Sequence, residues 1–363
     1  MSYESAEGFP LIIGAGTANP GTSYSQEDIL RIYGIEDPKI RSLFVNSHID
    51  RRFLSLPPAE PGRPPRPETQ GELLRKHRTE GIELAAEALR VCLKTIGADL
   101  HEVDHLVCVT STGFLTPGIS ARLIEAVGLP VTCGRLDVVG MGCNAGLNGL
   151  RPTADWAARN PGRLAVMVCV EVCSAAYVFD GSLRTAVVNS LFGDGAAAVA
   201  LRAGGNGSER SADAVPKAAV RKFSSRIIPE ASDAMRYDWD DEHMAFSFFL
   251  DREVPYVVGA HAEEAVDTLL RGTGIRRSEI AHWIVHSGGK KVIDAVKVNV
   301  GLTPHDLRHT SSVLRDYGNL SSGSFLFSYR QLMEERAVTP GDHGILMTMG
   351  PGSTIETALV QWQ

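Results

Sequence analysis

The stretch Val138-Val139-Gly140-Met141-Gly142-Cys143-Asn144-Ala145-Gly146-Leu147-Asn148-Gly149 decides how the rest of this chain is read. An apolar run (Leu136, Val138, Val139) predicts a strand, the spaced glycines a turn, and the small residues after Cys143 the start of a helix. Cys143 therefore falls at or near a strand-to-helix junction, where the partial positive charge of helix amides lowers a thiol pKa and favours the thiolate. The glycines allow positive φ or close backbone approach around such a group. Taken alone, a buried structural cysteine in a tight turn is the commoner explanation, because free cysteine is among the most buried residue types. The residues further out weigh against it.

At 363 residues the chain is long for one core, which predicts two domains or two fused, similar halves. A hydrophobic fraction of 44% with 22% charged residues is that of an ordinary soluble globular protein. The formal charge of −7, without a long basic run, argues against nucleic acid as a partner. No apolar run reaches membrane-spanning length and the acidic N-terminus lacks a signal pattern, so no membrane partner is expected. The six cysteines (Cys92, Cys108, Cys133, Cys143, Cys169 and Cys173) lie mostly inside apolar runs, which points to a reducing cytoplasm. Cys169 and Cys173 stand as Cys-Val-Glu-Val-Cys, but nothing nearby completes a metal site, so they read as strand core and no metal is expected.

Leu11 to Thr17 reads as a buried strand whose Gly14-x-Gly16 pair lacks the third glycine and downstream acid of a dinucleotide turn. Ser55 to Pro67 is a proline-rich exposed connector, and an amphipathic helix follows from about Thr69 to Thr95. Strands are predicted at His105 to Thr110, Leu164 to Val172 and Ala196 to Leu201. Gly204 to Asp213 is the clear flexible linker, dividing the chain into halves 1–205 and 206–363.

Beyond the linker the pattern returns, with a helix from about His261 to Leu270 and a strand at His282 to Val285. Gly97 and Gly274, like His105 and His282, are 177 positions apart. Gly128-Leu129 answers Gly301-Leu302, and Gly142-Cys143 answers Gly318-Asn319 at 176 positions, which puts Asn319 in the nucleophile's place in the second copy. Self-similarity at a fixed period signals repeated architecture, and two fused βα-rich halves can build a site where equivalent helix ends converge.

His286 ends the strand at His282 to Val285, where sites in α/β sheets gather. Asn319 lies in Gly318-Asn319-Leu320-Ser321-Ser322-Gly323-Ser324, ahead of the apolar helix Phe325 to Leu332. Singly these are a structural histidine and a helix cap. With Cys143 they make a Cys, His, Asn set. A histidine beside Cys143 can hold a thiolate-imidazolium pair near neutral pH, ready to take an acyl group from a thioester. If CO2 then leaves a second acyl group, an imidazole N–H and a neutral amide can meet the enolate charge, each such donor being worth about 3 to 4 kcal/mol of barrier. An aspartate at position 319 would oppose that charge.

Cys143 in VVGMGCNAGLNGL, His286 in VHSGGKKVIDAV, Asn319 in DYGNLSSGSFLFSY and the closing MGPGSTIE (Met349 to Glu356) together resemble the type III polyketide synthases over nearly the whole chain. The resemblance implies an α/β, thiolase-like, duplicated αβαβα layered fold and a homodimer. It also implies that Cys143 carries the acyl chain while His286 and Asn319 support decarboxylation and condensation of malonyl-CoA. CoA thioesters are then substrates, with no cofactor, and accessory enzymes of a pathway are further partners. Phe192 in SLFGDGAAA and Phe248 in FSFFLDREVP match the two phenylalanines that the family sets between CoA tunnel and cavity; alone they read equally as core. Thr116 in GFLTPG stands where plant members push a methionine into the partner's cavity. The family's basic CoA contacts fall around Asn46 to Arg52, where Asp50 replaces a basic residue and leaves Arg51 and Arg52 for the part. Gly350 and Ser353 of the closing motif count among the substrate-binding residues. His286-Ser287-Gly288-Gly289 departs from the plant HPGG, a change of loop stiffness rather than chemistry.

Within the family, TAVVNSLFGDGAAA, DAMRYDWD and VPYVVGAHAE look most like the bacterial 3,5-dihydroxyphenylacetyl-CoA synthases, which use malonyl-CoA as starter and extender and feed dihydroxyphenylglycine and antibiotic biosynthesis. A ketoacyl-ACP synthase III-like condensing enzyme, fed by acyl carrier protein, shares the triad, but no basic patch for that acidic partner is visible. A Cys-His-Asn hydrolase sits poorly with duplicated halves, and a non-enzymatic scaffold leaves Cys143, His286 and Asn319 unexplained together.

Overall fold

Apolar runs bounded by glycine and proline become the strands of one nine-stranded sheet in the computed structural model, which describes residues 8–58, 63–176, 178, 180–204 and 216–363. All but the first residue of the predicted linker, and residues 59–62 of the proline-rich connector, lie outside the described residues. The first half supplies β1 (Leu11–Ala18), the short β2 (Ser23–Ser25) and β3 (Arg51–Phe53), then β4 (Val103–Thr110), β5 (Gly134–Val139), β6 (Leu164–Glu171) and β7 (Gly195–Arg202). The second supplies β8 (Ala218–Ile227), the hairpin β9 (Met235–Asp240) and β10 (Ala245–Leu250), then β11 (Ile280–Val285), β12 (His343–Gly350) and β13 (Thr354–Trp362). Strand order in the large sheet is β11-β12-β13-β8-β1-β7-β6-β4-β5.

That order shows the duplication directly. Parallel β4–β6, antiparallel β6–β7 and antiparallel β7–β1 recur as parallel β11–β12, antiparallel β12–β13 and antiparallel β13–β8. The half-sheets join where β1 meets β8, at Leu11↔Ala219 and Ile12↔Ala218. Among the described residues, only β5 has no counterpart strand in the second half of the large sheet.

The helices repeat as well. In the first half come α1 (Gln26–Ile32), α2 (Pro38–Val45), α3 (Gln70–Thr95), α4 (Ile119–Val127), α5 (Ala145–Arg159) and α6 (Leu183–Leu191). In the second come α7 (Val254–Leu270), α8 (Lys290–Val300), α9 (Arg308–Tyr317) and α10 (Ser324–Glu335). α3 packs on β1, β6 and β7 from outside, α7 on β8 and β13, while α5 and α10 touch strands of both half-sheets. Five layers result, αβαβα, with two helices at the centre. The sequence of α3 explains its start: Thr69 caps it and Glu72 reaches back to the Thr69 amide. The Gly14-x-Gly16 pair is there for packing, since a β-carbon on Gly16 would lie 2.3 Å from the Cys92 amide nitrogen of α3.

The paired glycines behave alike, with φ of +63° and +75° at Gly97 and Gly274, and +73° and +77° at Gly128 and Gly301. Further along, the register suggested by glycine spacing fails. A 3-10 turn at Gly142–Asn144 runs into α5, and one at Ser321–Gly323 runs into α10, each opening on a residue of positive φ, +72° at Gly142 and +49° at Ser321. Ala145 and Ser324, the first residues of the two helices, are 179 positions apart, so the counterpart of Cys143 is Ser322 and not Asn319. The displacement arises because 23 positions separate Gly301 from Ser324 where 17 separate Gly128 from Ala145, so the second half carries six extra residues and places α9, rather than a strand, before its turn.

Candidate active site

Cys143 lies inside the 3-10 turn that continues into α5 and is 8% exposed. Gly350 at the end of β12 abuts it from the other half: a β-carbon there would fall 3.0 Å from the Cys143 amide nitrogen and 2.7 Å from that of Asn144. Pro351 presses equally on Gly142. The closing motif thus walls the nucleophile's turn with backbone.

Asn319 reaches the sulfur across the join of the halves. Its backbone bridges Phe192, with its N–H donating to the Leu191 carbonyl at 2.8 Å and its carbonyl accepting from the Gly193 N–H at 3.0 Å. Its side-chain oxygen accepts from the Ser321 N–H at 2.8 Å, and its Nδ2 lies 3.5 Å from the Gly288 carbonyl on the loop that follows His286. The Asn319 amide and the Ser321 hydroxyl both act on the Cys143 sulfur as donors that lower its thiol pKa.

His286 is buried on that neighbouring loop, its N–H donating to the Met347 carbonyl at 2.8 Å. Its Nδ1 is 2.5 Å from the Ser324 hydroxyl, which is also 3.2 Å from the Ser321 carbonyl. When Ser324 donates to Nδ1, the proton of the neutral ring sits on Nε2 and makes it a donor to a reacting group.

The electrostatics differ from the sequence expectation. Burial pushes the Cys143 thiol up to about 12, with Glu171 adding to the shift against the hydrogen bonds from Ser321 and Asn319. Burial likewise brings the His286 imidazolium down to about 3. Burial thus favours the uncharged forms of thiol and imidazole over the ion pair, because removal from water opposes charge on either group more than the helix-end potential supports it. Water exclusion of this kind strengthens every donor aimed at a charge that develops later.

Phe192 and Phe248 come together edge to face, with ring centroids 6.0 Å apart at 85°, and share the core cluster that contains Cys143. Tyr237 meets Phe248 edge to face, with centroids 5.1 Å apart at 61°. A cleft lined by Tyr33, Leu54, Cys173, Ser174 and Asn189 opens behind Phe192. Thr116 is exposed, two residues from the exposed Phe114.

Two of the sequence assignments are corrected. Arg52 is 1% exposed and spends its guanidinium on the Phe192 carbonyl at 2.6 Å and the Gln26 side-chain oxygen at 2.8 Å, so it braces Phe192 from within and is closed to a CoA phosphate. Its burial brings its pKa down to about 9. Ser353 is buried with its hydroxyl donating to the Ala231 carbonyl at 2.6 Å, a structural tie rather than a substrate contact. Arg51 is exposed in β3.

The sequence reading passed over Glu171. It is fully buried at the end of β6 and accepts from the Ser111 N–H at 2.9 Å, from Ser322 Oγ at 2.5 Å and from Ser321 Oγ at 3.3 Å. Burial raises it to about 7, even against these donors. The signal was present: a single carboxylate inside Leu164-Ala-Val-Met-Val-Cys-Val-Glu171 is costly unless the fold supplies partners.

The chain matches the model of chalcone and stilbene synthases, N-terminal domain, over residues 2–205, and the C-terminal domain over 220–362. It is 63% identical to the 3,5-dihydroxyphenylacetyl-CoA synthase of Streptomyces toyocaensis, over 97% of this chain and 90% of that one. Against the enzyme of the same description from Amycolatopsis balhimycina the figures are 61%, 96% and 92%. Among solved structures, PKS-I of the brown alga Ectocarpus siliculosus superposes with a TM-score of 0.89 at 25% identity, covering 99% of this chain and 100% of that one. The 1,3,6,8-tetrahydroxynaphthalene synthase of Streptomyces coelicolor A3(2), a bacterial type III polyketide synthase, gives 0.83 at 26% identity, covering 97% and 99%. With both domain models matched in order and a thiolase-like layered fold around one buried cysteine, this chain belongs to the chalcone and stilbene synthase family of type III polyketide synthases.

Proposed function

We propose that this chain is a malonyl-CoA-dependent, decarboxylating acyltransferase that condenses four malonyl-CoA into 3,5-dihydroxyphenylacetyl-CoA. What carries this is the identity of 61–63% to three synthases of that description over 96–97% of the chain. Cys143 takes the starter acyl group as a thioester and releases CoA. A further malonyl-CoA loses CO2, and its enolate is met by the His286 imidazole N–H and the Asn319 amide, both neutral donors in a dry pocket. The enolate carbon attacks the Cys143 thioester and expels the thiolate, and the lengthened chain returns to the sulfur. After the last extension the carboxyl of the starter malonyl unit leaves as a fourth CO2, and an aldol closure with loss of water makes the ring and leaves one thioester intact. No step calls for a metal or a bound cofactor. The test is malonyl-CoA alone: purified protein is expected to release CO2 and yield one aromatic CoA ester by mass spectrometry, and the absence of any such product removes the assignment.

We further propose that a second copy covers the free edge of β5. That strand ends the large sheet, exposes Leu136 (38%) and Val139 (37%), and lies near Phe114 (74%) and Met141 (39%). An unpaired edge beside an apolar patch favours antiparallel addition of another strand, and the same edge of a second copy is self-complementary. This puts Thr116 on the surface facing the neighbour. Light scattering is expected to give a dimer, and Leu136→Lys with Phe114→Glu to yield monomer. The cytoplasm is the compartment proposed, since the six cysteines are buried and form no disulfide, and no described helix is long and apolar enough to cross a membrane.

A further inference from the structure

We propose that Arg52 is a positioning residue for Asn319, holding it in place by bracing the backbone bridge between Phe192 and Asn319, a role that rests on the reading of Asn319 as the amide donor to the enolate. Asn319 belongs to no strand, so two backbone hydrogen bonds set its place: its N–H on the Leu191 carbonyl at 2.8 Å, and its carbonyl accepting from the Gly193 N–H at 3.0 Å. In a parallel bridge of this kind both bonds go to the residues flanking Phe192, which turns the Phe192 carbonyl away from Asn319. That carbonyl is the one Arg52 takes. Its Nη1 donates there at 2.6 Å while Nη2 donates to Gln26 Oε1 at 2.8 Å. Gln26 in turn donates through Nε2 to the Ser190 carbonyl at 2.7 Å and to Ser47 Oγ at 2.8 Å. The end of α6 and the bridge after it therefore hang on one buried pair of side chains, Arg52 and Gln26.

The hydrocarbon stem of Arg52 is packed into the same place. A β-carbon on Gly318, at φ +74°, would lie 2.8 Å from Arg52 Cδ, 2.9 Å from Cγ and 2.7 Å from the Leu191 carbonyl oxygen. One on Gly193 would lie 2.4 Å from the Tyr317 carbonyl oxygen and 3.6 Å from Arg52 Cβ. Both chains of the bridge close on the stem because these two positions are glycine. β3 itself is tied to each chain: the Asp50 N–H donates to the Arg315 carbonyl at 2.8 Å, ahead of Asn319, and the Phe53 carbonyl accepts from the Asp194 N–H at 2.8 Å, just beyond Phe192. Arg52 stands between those two ties.

A single bridge is a slight hold for a group that must meet a developing charge, since misplacement by about 1 Å can cost about 10²-fold in rate. A guanidinium suits the task because its planar fork fixes two acceptors at once. The direction in which the amide faces is set separately, Asn319 Oδ1 accepting from the Ser321 N–H at 2.8 Å. Arg52 thus governs where the amide sits.

The test is CO2 release from malonyl-CoA, per mole of folded protein, in a double-mutant cycle. Arg52→Met is expected to lower kcat by about tenfold or more with KM held within about twofold, and to change kcat by less than about twofold in the Asn319→Ala background, where the brace has no amide left to position. Equal fractional losses in the two backgrounds, or a raised KM at unchanged kcat, overturn the proposal. Gln26→Leu keeps Arg52 and removes its second anchor, which serves where Arg52→Met does not fold. A fall in kcat of at least about threefold that vanishes with Asn319→Ala is expected of it, and an unchanged kcat overturns the route. A crystal structure of either variant is expected to show Asn319 displaced by more than about 0.5 Å relative to Cys143, and an unmoved Asn319 overturns the proposal. That displacement needs no malonyl-CoA, so a wild-type protein that releases no CO2 while the variants show the shift refutes the substrate assignment and not the positioning.

Discussion

The two halves of the molecule fold alike and then part company at one place, the segment just before the central helix. In the first half that segment is β5, which continues the sheet and leads by a 3-10 turn to Cys143 and α5. In the second half the same position holds Tyr317 to Leu320, which forms no strand and makes only the bridge between Asn319 and Phe192. Omission of the strand carries the chain inward between the halves, so Asn319 meets the Cys143 sulfur instead of sitting on a sheet edge. The retained β5 edge stays outside, free for another copy. Duplication alone would have set Ser322 opposite Cys143; the departure from duplication delivers the amide.

The largest effect is expected where the halves differ most in chemistry. Cys143→Ala should reduce aromatic product below detection while slow malonyl-CoA decarboxylation persists, because the donors of the second half remain; CO2 release measured beside product separates the two. His286→Ala should abolish both, and persistence of decarboxylation there would assign the donor role elsewhere. Asn319→Ala should lower turnover by about 10² to 10³, the loss typical of one donor to a developing oxyanion, and Asn319→Asp should be worse still. Ser322→Ala, at the true counterpart of Cys143, should cost far less than Asn319→Ala. The reverse order would mean that the repeat, and not its interruption, built the site.

Smaller effects concern stability. Arg52→Met removes the guanidinium that braces Phe192, and denaturant titration should show a loss of about 2 to 4 kcal/mol, against less than about 0.5 for exposed Arg51→Ala. Equal effects would return Arg52 to the surface role first assigned to it. A pH effect should be smaller per unit. His77 and His286 have folded-state pKa values depressed to about 4 and about 3, so in the folded state they stay neutral while unfolded imidazoles charge below about 6.5. Neither contributes above that pH, and each lowers stability by about 1.4 kcal/mol per unit as pH falls towards its folded value. His77→Gln should flatten that acid limb in urea midpoints measured from pH 7.5 to 5.

Much of this was legible in the linear chain. The capping pair Thr69 and Glu72 opened α3 within a residue of its predicted start, and Leu164 to Val170 reads apolar throughout because both faces of β6 are covered. Gly97 with Gly274 and Gly128 with Gly301 showed the repeat because left-handed helix ends need glycine wherever they recur. Glu171 was overlooked because its partners, Ser111, Ser321 and Ser322, lie 60 to 151 positions away. Arg52 was misassigned for the same cause: nothing local distinguishes a basic residue that braces a carbonyl 140 positions away from one that meets a phosphate.

The order of residues by itself determined the strands, the helices, the duplication and the three reactive side chains, since periodicity, caps and glycine positions act over a few neighbours. Only the tertiary structure decided that Asn319 rather than Ser322 supports the sulfur, that burial favours the uncharged thiol and imidazole, and that a buried carboxylate stands near them. Those outcomes depend on how much water is excluded and on which distant groups fill the space, and such quantities exist only once the halves have closed on each other.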